Sequence, residues 1–186
     1  MATIDESLAW TGIPIPESLK NLEPEKQTAL ADYVKTLVDA KTDGFDELYQ
    51  AIGMIVKYIP NFILIPLMVD NIRPLIAAGV CCKMGVDQAT NYANDLPLEY
   101  FSEVSKHIGN EMMARILEKM KRGHAEKVIK YELHHNQSHM LDIAAHLEKR
   151  MLEYVARQVS LPDLSDLLTE HPQSAIIEQL RALQNA

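Results

Sequence analysis

The chain has 186 residues, 47% of them hydrophobic, and a formal net charge of −8. This composition is typical of a globular chain rather than a disordered one, and the length predicts a single helical domain over residues 1–186. The acidic balance disfavours nucleic acid as a partner. Residues 1–10 lack the apolar segment of a signal peptide, and the adjacent Cys81 and Cys82 are poorly placed to bridge each other. We therefore expect a reduced, cytoplasmic protein.

The N-terminal part predicts an extended arm followed by two helices. Pro14 and Pro16 disfavour the helical conformation for the residues before them, so residues 1–20 are predicted to form an extended leader. The side chains of Trp10, Ile13 and Ile15 are expected to pack this leader against the body of the protein. An apolar face at helical spacing then predicts one helix over 24–38 and another over 45–59.

Residues 59–80 are the most apolar part of the chain. The run from Phe62 to Val69 contains no polar side chain, but it is too short to cross a bilayer, which takes about 20 apolar residues. Pro60, Pro66 and Pro74 are expected to divide it into short helical pieces. We predict that the run lies in the core, with a dimer interface or a lipid contact as the alternatives.

Residues 74–147 repeat a pattern of short helices around three pivots. The pivots are Gly85, Gly109 and Asn136, residues that tolerate the left-handed conformation after a helix. Apolar residues at matching positions flank each pivot. This pattern predicts an all-α fold of short antiparallel helix pairs, stacked into a solenoid-like superhelix, for which the resemblance described below implies a right-handed sense.

After Ser138 the pattern changes. The apolar spacing predicts one long helix from Ser138 to about Val159, because no Gly or Pro interrupts it. The segment 160–186 is predicted to contain the C-terminal helices, the last of them from Pro172 to Leu183. No strand alternation is visible.

The histidines suggest two different roles. On a continuous helix, His135, His139 and Asp142 would share one stripe with His146, and Glu132 forms a Glu-x-x-His pair with His135. Glu132, His135, His139 and Asp142 are therefore candidate ligands for zinc or a similar metal. The repeat instead places His107, His134 and His135 at helix ends, where histidine interacts favourably with the last carbonyls. We favour this second interpretation.

Catalytic motifs are not visible. The chain has no nucleophile elbow, phosphate loop, dinucleotide fingerprint, His-Glu-x-x-His or Cys-x-x-Cys sequence. We therefore predict no catalytic residue and no cofactor, and we favour a non-enzyme while leaving enzymatic activity open. The methionines at 112, 113, 120, 140 and 151 are expected in the core rather than on an adaptable binding surface.

A basic cluster is the candidate surface for binding a partner. Residues 115–130 carry six Lys or Arg and two Glu, whereas residues 1–50 carry four Lys and ten Asp or Glu. Candidate partner-binding residues are Arg115, Lys119, Lys121 and Arg122. A solvated helix face explains the same charges, and we favour that interpretation.

Residues 97–147 resemble a known family of short-helix superhelices. The segments that carry the resemblance are Leu96 to Val104 and Met112 to Met120, which are compared with a proline-x-x-apolar-apolar-x-x-apolar pattern with acidic caps. They are similar to the N-terminal domain of MgtE-type magnesium transporters and to the middle region of FliG-type flagellar motor switch proteins. The resemblance implies a non-catalytic module that binds ions at acidic edges or docks onto partner proteins. It transfers no functional residue, and the N-terminal half has no counterpart in it.

We therefore expect a non-catalytic protein-interaction or scaffold module with a protein partner, and a homodimer is a further option. A metal-binding protein or an enzyme that uses the Glu132 cluster is one alternative. A peripheral membrane or lipid-binding protein is the other, although membrane association is disfavoured because Phe62–Val69 lacks the polar face of an interfacial helix.

Overall fold

The structure, a computed structural model, describes residues 3–161 and 173–185. These residues form helices, turns and irregular chain without any β-strand, which confirms the all-α prediction. The chain divides into two compact units, Met1–Asp46 and Glu47–Ala186, where the sequence suggested one domain. Each unit is described by itself.

The N-terminal unit is more helical than the sequence suggested. It contains α1 (Ile4–Leu8), a 3-10 helix (Ala9–Thr11), α2 (Glu17–Lys20) and α3 (Pro24–Thr42). The predicted extended leader over 1–20 is wrong for the described residues, since only residue 3 and residues 12–16 lie outside helices. A capping box explains α1: the Thr3 hydroxyl accepts from the Glu6 amide, and the Glu6 carboxylate accepts from the Thr3 amide.

The core of this unit is small. Ile4, Leu8 and Ala31 are buried, and Ile15 is among the half-buried residues packed against them. Trp10 and Ile13 are exposed. Of the three residues predicted to pack the leader against the body, only Ile15 therefore contacts the core of this unit.

The second unit is a succession of short helices. Helix α4 begins at the boundary between the units. The helices are α4 (Phe45–Val56), α5 (Asn61–Asn71), α6 (Pro74–Met84), α7 (Val86–Ala93), α8 (Leu98–Ser105), α9 (Asn110–Lys119), α10 (Arg122–His135), α11 (Gln137–Ala144), α12 (Lys149–Gln158) and α13 (Ser174–Gln184).

A buried apolar residue closes several of the turns between these helices. Leu96, Ile108 and Met120 follow one another at twelve-residue intervals, and each lies directly before the N-cap of the next helix. All three belong to the core. Burial of these side chains ends each helix at a fixed point, because the chain must turn there to bring the apolar residue inside.

Helices two positions apart in the sequence pack against each other. The contacts join α6 with α8, α7 with α9, α8 with α10, α9 with α11, α10 with α12, and α11 with α13. One continuous apolar cluster runs from Leu64 to Leu180 through these contacts. The methionines expected in the core are buried there, apart from the half-buried Met112.

Two predicted helix boundaries differ from the structure. Pro66 lies inside α5 rather than ending it. The predicted long helix from Ser138 to Val159 is broken at residues 145–148. The break ends α11 at Ala144 and buries Leu147, so burial of an apolar residue prevails over helical continuity.

The pivots of the repeat use different backbone conformations. Gly85 has a φ of +82°, which favours glycine. Gly109 and Asn136 have φ values of −60° and −143°. Gly85 alone of the three therefore has a positive φ, and its ψ of 166° lies outside the predicted left-handed helical region. Gly109 caps the start of α9 in an extended conformation, and Asn136 lies between α10 and α11.

The predicted burial of Phe62–Val69 is wrong for much of the run. Leu64 and Ile65 are buried, but Phe62 is 78% exposed, and Ile63 and Leu67 are each 51% exposed. Helix α5 thus puts one side into the core and leaves an apolar side outside it.

Candidate functional site

An apolar cavity lies among α4–α9. Its volume is about 190 Å³. The side chains around it are almost all aliphatic or aromatic, with three methionines among them. The walls are formed by Ile52, Val56, Ile59, Leu64, Leu67, Met68, Ile72, Ile76, Ala77, Val80, Cys81, Met84, Ala89, Tyr92, Ala93, Leu96, Phe101, Val104, Ser105, Ile108, Met113 and Ile116.

The few polar groups of the cavity wall already have partners within the protein or are weakly polar. The Tyr92 hydroxyl donates to the Val56 carbonyl at 3.0 Å, and the Ser105 hydroxyl donates to the Ser102 carbonyl at 2.8 Å. Burial raises the pKa of the Cys81 thiol to about 12, so this group stays protonated at neutral pH. The cavity therefore offers apolar surface and no charged group.

The exposure of the wall residues indicates that the cavity opens beside α5 and the turn that follows it. Among the wall residues, only Leu67 and Ile72 are exposed, and both lie on this side. The Ile72 carbonyl accepts a hydrogen bond from the Tyr100 hydroxyl at 2.8 Å, which fixes this edge to α8. The opening is thus framed by apolar side chains on a fixed backbone.

Exposed large apolar side chains are concentrated around the same helices. In the second unit they all lie between residues 48 and 75, and none follows Leu75 in the described chain. We call this set the apolar region. Its members are Leu48, Met54, Ile55, Tyr58, Phe62, Ile63, Leu67, Ile72 and Leu75.

The charges within the apolar region are few. Residues 48–75 contain one acidic side chain, Asp70, and two basic ones, Lys57 and Arg73. The region therefore has a net charge of +1, although the whole chain carries −8.

A buried carboxylate marks a second, polar site between α8, α10 and α11. Glu132 is 1% exposed. The Asn136 side-chain amide donates to its carboxylate at 3.3 Å, and the Ser105 hydroxyl oxygen lies 3.4 Å from the carboxylate. The Nδ1 atom of His139 lies 3.8 Å from Oε2, which is too long for a hydrogen bond but close enough for electrostatic attraction.

The net effect of this environment favours the ionised carboxylate. Burial alone would raise the pKa of Glu132, but interactions with His139, Ser102 and Asn136 together outweigh it and hold the pKa below its usual value. A buried charge is costly unless it is paired and hydrogen-bonded. The Glu132 site therefore serves to link three helices.

The four predicted metal ligands do not converge. Helix α10 ends at His135 and α11 begins at Gln137, so the continuous helix that the metal hypothesis required is absent. Glu132 and His139 are neighbours, but His135 is exposed and stacks on Tyr131, and Asp142 accepts from Gln173 at 2.6 Å. Across residues 3–161 and 173–185, no group of three His, Cys, Asp or Glu side chains is placed to hold a metal.

The histidines that were expected near helix ends are found there. His134 and His135 lie in the last turn of α10, and His107 lies in the turn after α8. The Nδ1 atom of His135 lies 2.9 Å from the Tyr131 carbonyl in that last turn. This contact matches the interaction with helix-end carbonyls that the sequence suggested.

The predicted partner-binding cluster is exposed, but half of it is engaged in ion pairs. Lys119 pairs with Asp87, and Arg122 pairs with Glu126 at 2.8 Å. Arg115 and Lys121 are also exposed. The four residues thus share their surface with two carboxylates, and this weakens their attraction for an acidic partner.

Sequence reasoning missed both the cavity and the burial of Glu132. A signal for Glu132 was present, because Ala125, Val128, Ile129 and Glu132 follow the spacing of one helix face and are all buried. The cavity has no such local signal, since its walls come from six helices.

Comparisons with protein-family models, with curated proteins and with solved structures find no match for this chain. The resemblance to MgtE-type and FliG-type domains therefore stays a prediction. None of the helices in the described residues combines the length and the apolar character needed to cross a membrane.

Proposed function

We propose that this chain is a non-catalytic protein-interaction module whose docking surface is the apolar region. The observation that carries the proposal is the concentration of nine exposed large apolar side chains between residues 48 and 75. Exposed apolar patches of this kind mark interaction sites, since burying one large apolar side chain gains about 1.5–3 kcal/mol.

The charge pattern favours a protein over a membrane as the occupant. The apolar region carries one acidic and two basic side chains, and this net charge of +1 is far from the cluster of about four to eight Lys or Arg that binds anionic lipid headgroups. An interfacial helix has a polar face rich in Lys and Arg. Helix α5 contains no Lys or Arg, and Pro66 lies in its middle.

The extent of the apolar region favours a partner larger than a small molecule. A small ligand in the cavity would reach Leu67 and Ile72 at its opening but would leave Ile55, Tyr58 and Phe62, which do not line the cavity, exposed. An amphipathic helix of a partner can cover such a surface with its apolar face. We therefore infer that the partner supplies a helix with an apolar face.

The architecture of the module is proposed to be a solenoid-like stack. Contacts between every second helix from α6 to α13 support it, because stacked repeats contact their neighbours in this regular way. The right-handed sense of the superhelix rests on the family resemblance alone.

The experiment is an affinity purification from native cells with two matched charge-changing variants. The double variant Phe62→Glu with Ile63→Glu places charge in the apolar region, and the quadruple variant of Arg115, Lys119, Lys121 and Arg122 to Glu reverses the basic cluster. We expect the double variant to lose, by at least tenfold, a protein that the wild type and the quadruple variant both retain. Circular dichroism checks that all three proteins are folded.

Two results would overturn this proposal. Equal recovery of every co-purifying protein by the wild type and the double variant would show that the apolar region does not dock a partner. Self-association of the wild type in sedimentation, abolished by the double variant, would assign the region to a homodimer interface instead.

A further inference from the structure

The cavity shares two residues, Leu67 and Ile72, with the apolar region that the proposed function uses, but its inner wall does not belong to that region. Val80, Ala89, Ala93 and Val104 are buried and form this inner wall. Phe62 and Ile63 do not line the cavity, so a change at either of them alters the apolar region without altering the wall.

The size of the cavity is sufficient for a ligand. An apolar cavity of about 150 Å³ in another protein stays dry and binds benzene or xenon. The cavity of this chain is about 190 Å³ and opens beside Leu67 and Ile72. Well-packed protein interiors contain few voids larger than a water molecule, so a space of this volume is unusual.

The chemistry of the wall restricts the ligand to a hydrocarbon group. Tyr92 and Ser105 already donate their hydroxyl protons to backbone carbonyls, and the Cys81 thiol is only a weak donor. A charged or strongly polar ligand group would lose its hydration without finding a partner. An alkyl chain loses nothing on entry, because the wall is apolar throughout.

We propose that the cavity binds the alkyl chain of a free, single-chain amphiphile, such as a fatty alcohol or a fatty acid. The chain enters beside Leu67 and Ile72 and contacts the inner wall formed by α6, α7 and α8. The polar end of the amphiphile stays outside in water. This binding does not depend on the proposed docking of a protein partner.

The test measures binding of straight-chain alcohols from hexan-1-ol to dodecan-1-ol by isothermal titration calorimetry. We expect one site per chain and an affinity that rises about fourfold per added methylene, which corresponds to ~0.8 kcal/mol per buried CH₂. The rise should stop when the alkyl chain fills the cavity. Decanoate should bind within a few-fold of decan-1-ol, because the polar end does not enter.

Two variants fill the cavity from different helix positions. Ala89→Leu and Ala93→Met both add side-chain volume to the inner wall, and the flexible methionine provides a second test where leucine disturbs folding. Both should weaken decan-1-ol binding at least tenfold while keeping the helical circular dichroism signal. The matched control, Phe62→Ser, changes the apolar region only and should bind decan-1-ol as the wild type does.

Several outcomes would overturn the inference. They are the absence of binding near the solubility limit of decan-1-ol, affinity independent of chain length, or unchanged binding in both filled variants. Loss of binding in Phe62→Ser alone would place the alkyl chain on the surface. Co-sedimentation of the protein with phosphatidylcholine vesicles, lost in Ala89→Leu, would show that the chain comes from a bilayer lipid rather than a free amphiphile.

Discussion

Glu132 shows how a single residue connects separate helices. Its carboxylate is buried on α10, it accepts a hydrogen bond from the Asn136 side chain, and it lies close to Ser105 on α8 and His139 on α11. Removing one partner of a buried charge leaves the other groups unsatisfied, which costs more than a surface ion pair contributes. Glu132 is therefore expected to control the stability of the second unit at acidic pH.

The pH dependence of unfolding tests this role. The folded-state pKa of Glu132 lies below its usual value of 4.5, so its contribution is present above that pH and is lost as the pH falls through the folded-state pKa. We expect Glu132→Gln to lower the free energy of unfolding at pH 7 and to flatten its decline below about pH 5. Urea unfolding from pH 3 to 7 measures both effects.

Glu103→Gln is the matched control, because Glu103 forms an exposed pair with Lys106 on α8. Exposed pairs contribute little, so this variant should unfold as the wild type does. A Glu132→Gln protein with the same stability and the same acid dependence as the wild type would show that the carboxylate is not ionised in the folded state.

The burial of Glu132 could be predicted from the sequence, but its partners could not. Helical spacing places Glu132 on the same face as Val128 and Ile129, so its burial is predictable. Its partners Ser102 and Ser105 are 30 and 27 residues earlier in the chain. Their proximity depends on how α8 and α10 pack, which periodicity does not specify.

Two glycines lie where α4 and α6 contact each other, and the space around them differs. In α6, a Cβ at Gly79 would lie 2.5 Å from the ring of Tyr49. In α4, a Cβ at Gly53 would lie 3.6 Å from the Cβ of Met84, an ordinary contact distance. Gly79 is therefore required for the approach of Tyr49, whereas Gly53 is not required by packing.

Alanine substitutions at these glycines are expected to act in opposite directions. Gly79→Ala forces the Tyr49 ring to move and should destabilise the protein by about 1–3 kcal/mol. Gly53→Ala fits and gains helix propensity, so it should stabilise by up to ~1 kcal/mol. Thermal and urea unfolding of the two variants provide the comparison. Similar changes for both would mean that α4 and α6 do not pack as described.

Helix positions were predictable where a strong local signal exists. The predicted starts at Pro24 and Phe45 match α3 and α4, because proline and the Asp43-Gly44 break act locally. Pro66 was expected to break α5 but is accommodated near its middle. The turn at 145–148 contains neither Gly nor Pro, and it exists because Leu147 packs into a core that local patterns do not describe.

At the scale of the whole molecule, the prediction that failed is the burial of the apolar run now found in the apolar region. A run such as Phe62–Val69 predicts burial, and a core explains burial most simply. The chain instead buries Leu64 and Ile65 and exposes Phe62, Ile63 and Leu67. Which side of α5 is covered depends on helices from later in the chain, including α7 and α8, whose side chains share the cavity with Leu64.

Site-specific photo-crosslinking in the native cell tests the docking account most directly. A photoreactive benzoylphenylalanine replaces Phe62 in one protein and the exposed Lys130 of α10 in a control protein. We expect position 62 to crosslink to a different protein, within a helical segment that has an apolar face. We expect no such crosslink from position 130. Equal crosslinking at the two positions, or crosslinks at position 62 formed only within the chain, with a second copy or with lipid, would contradict it.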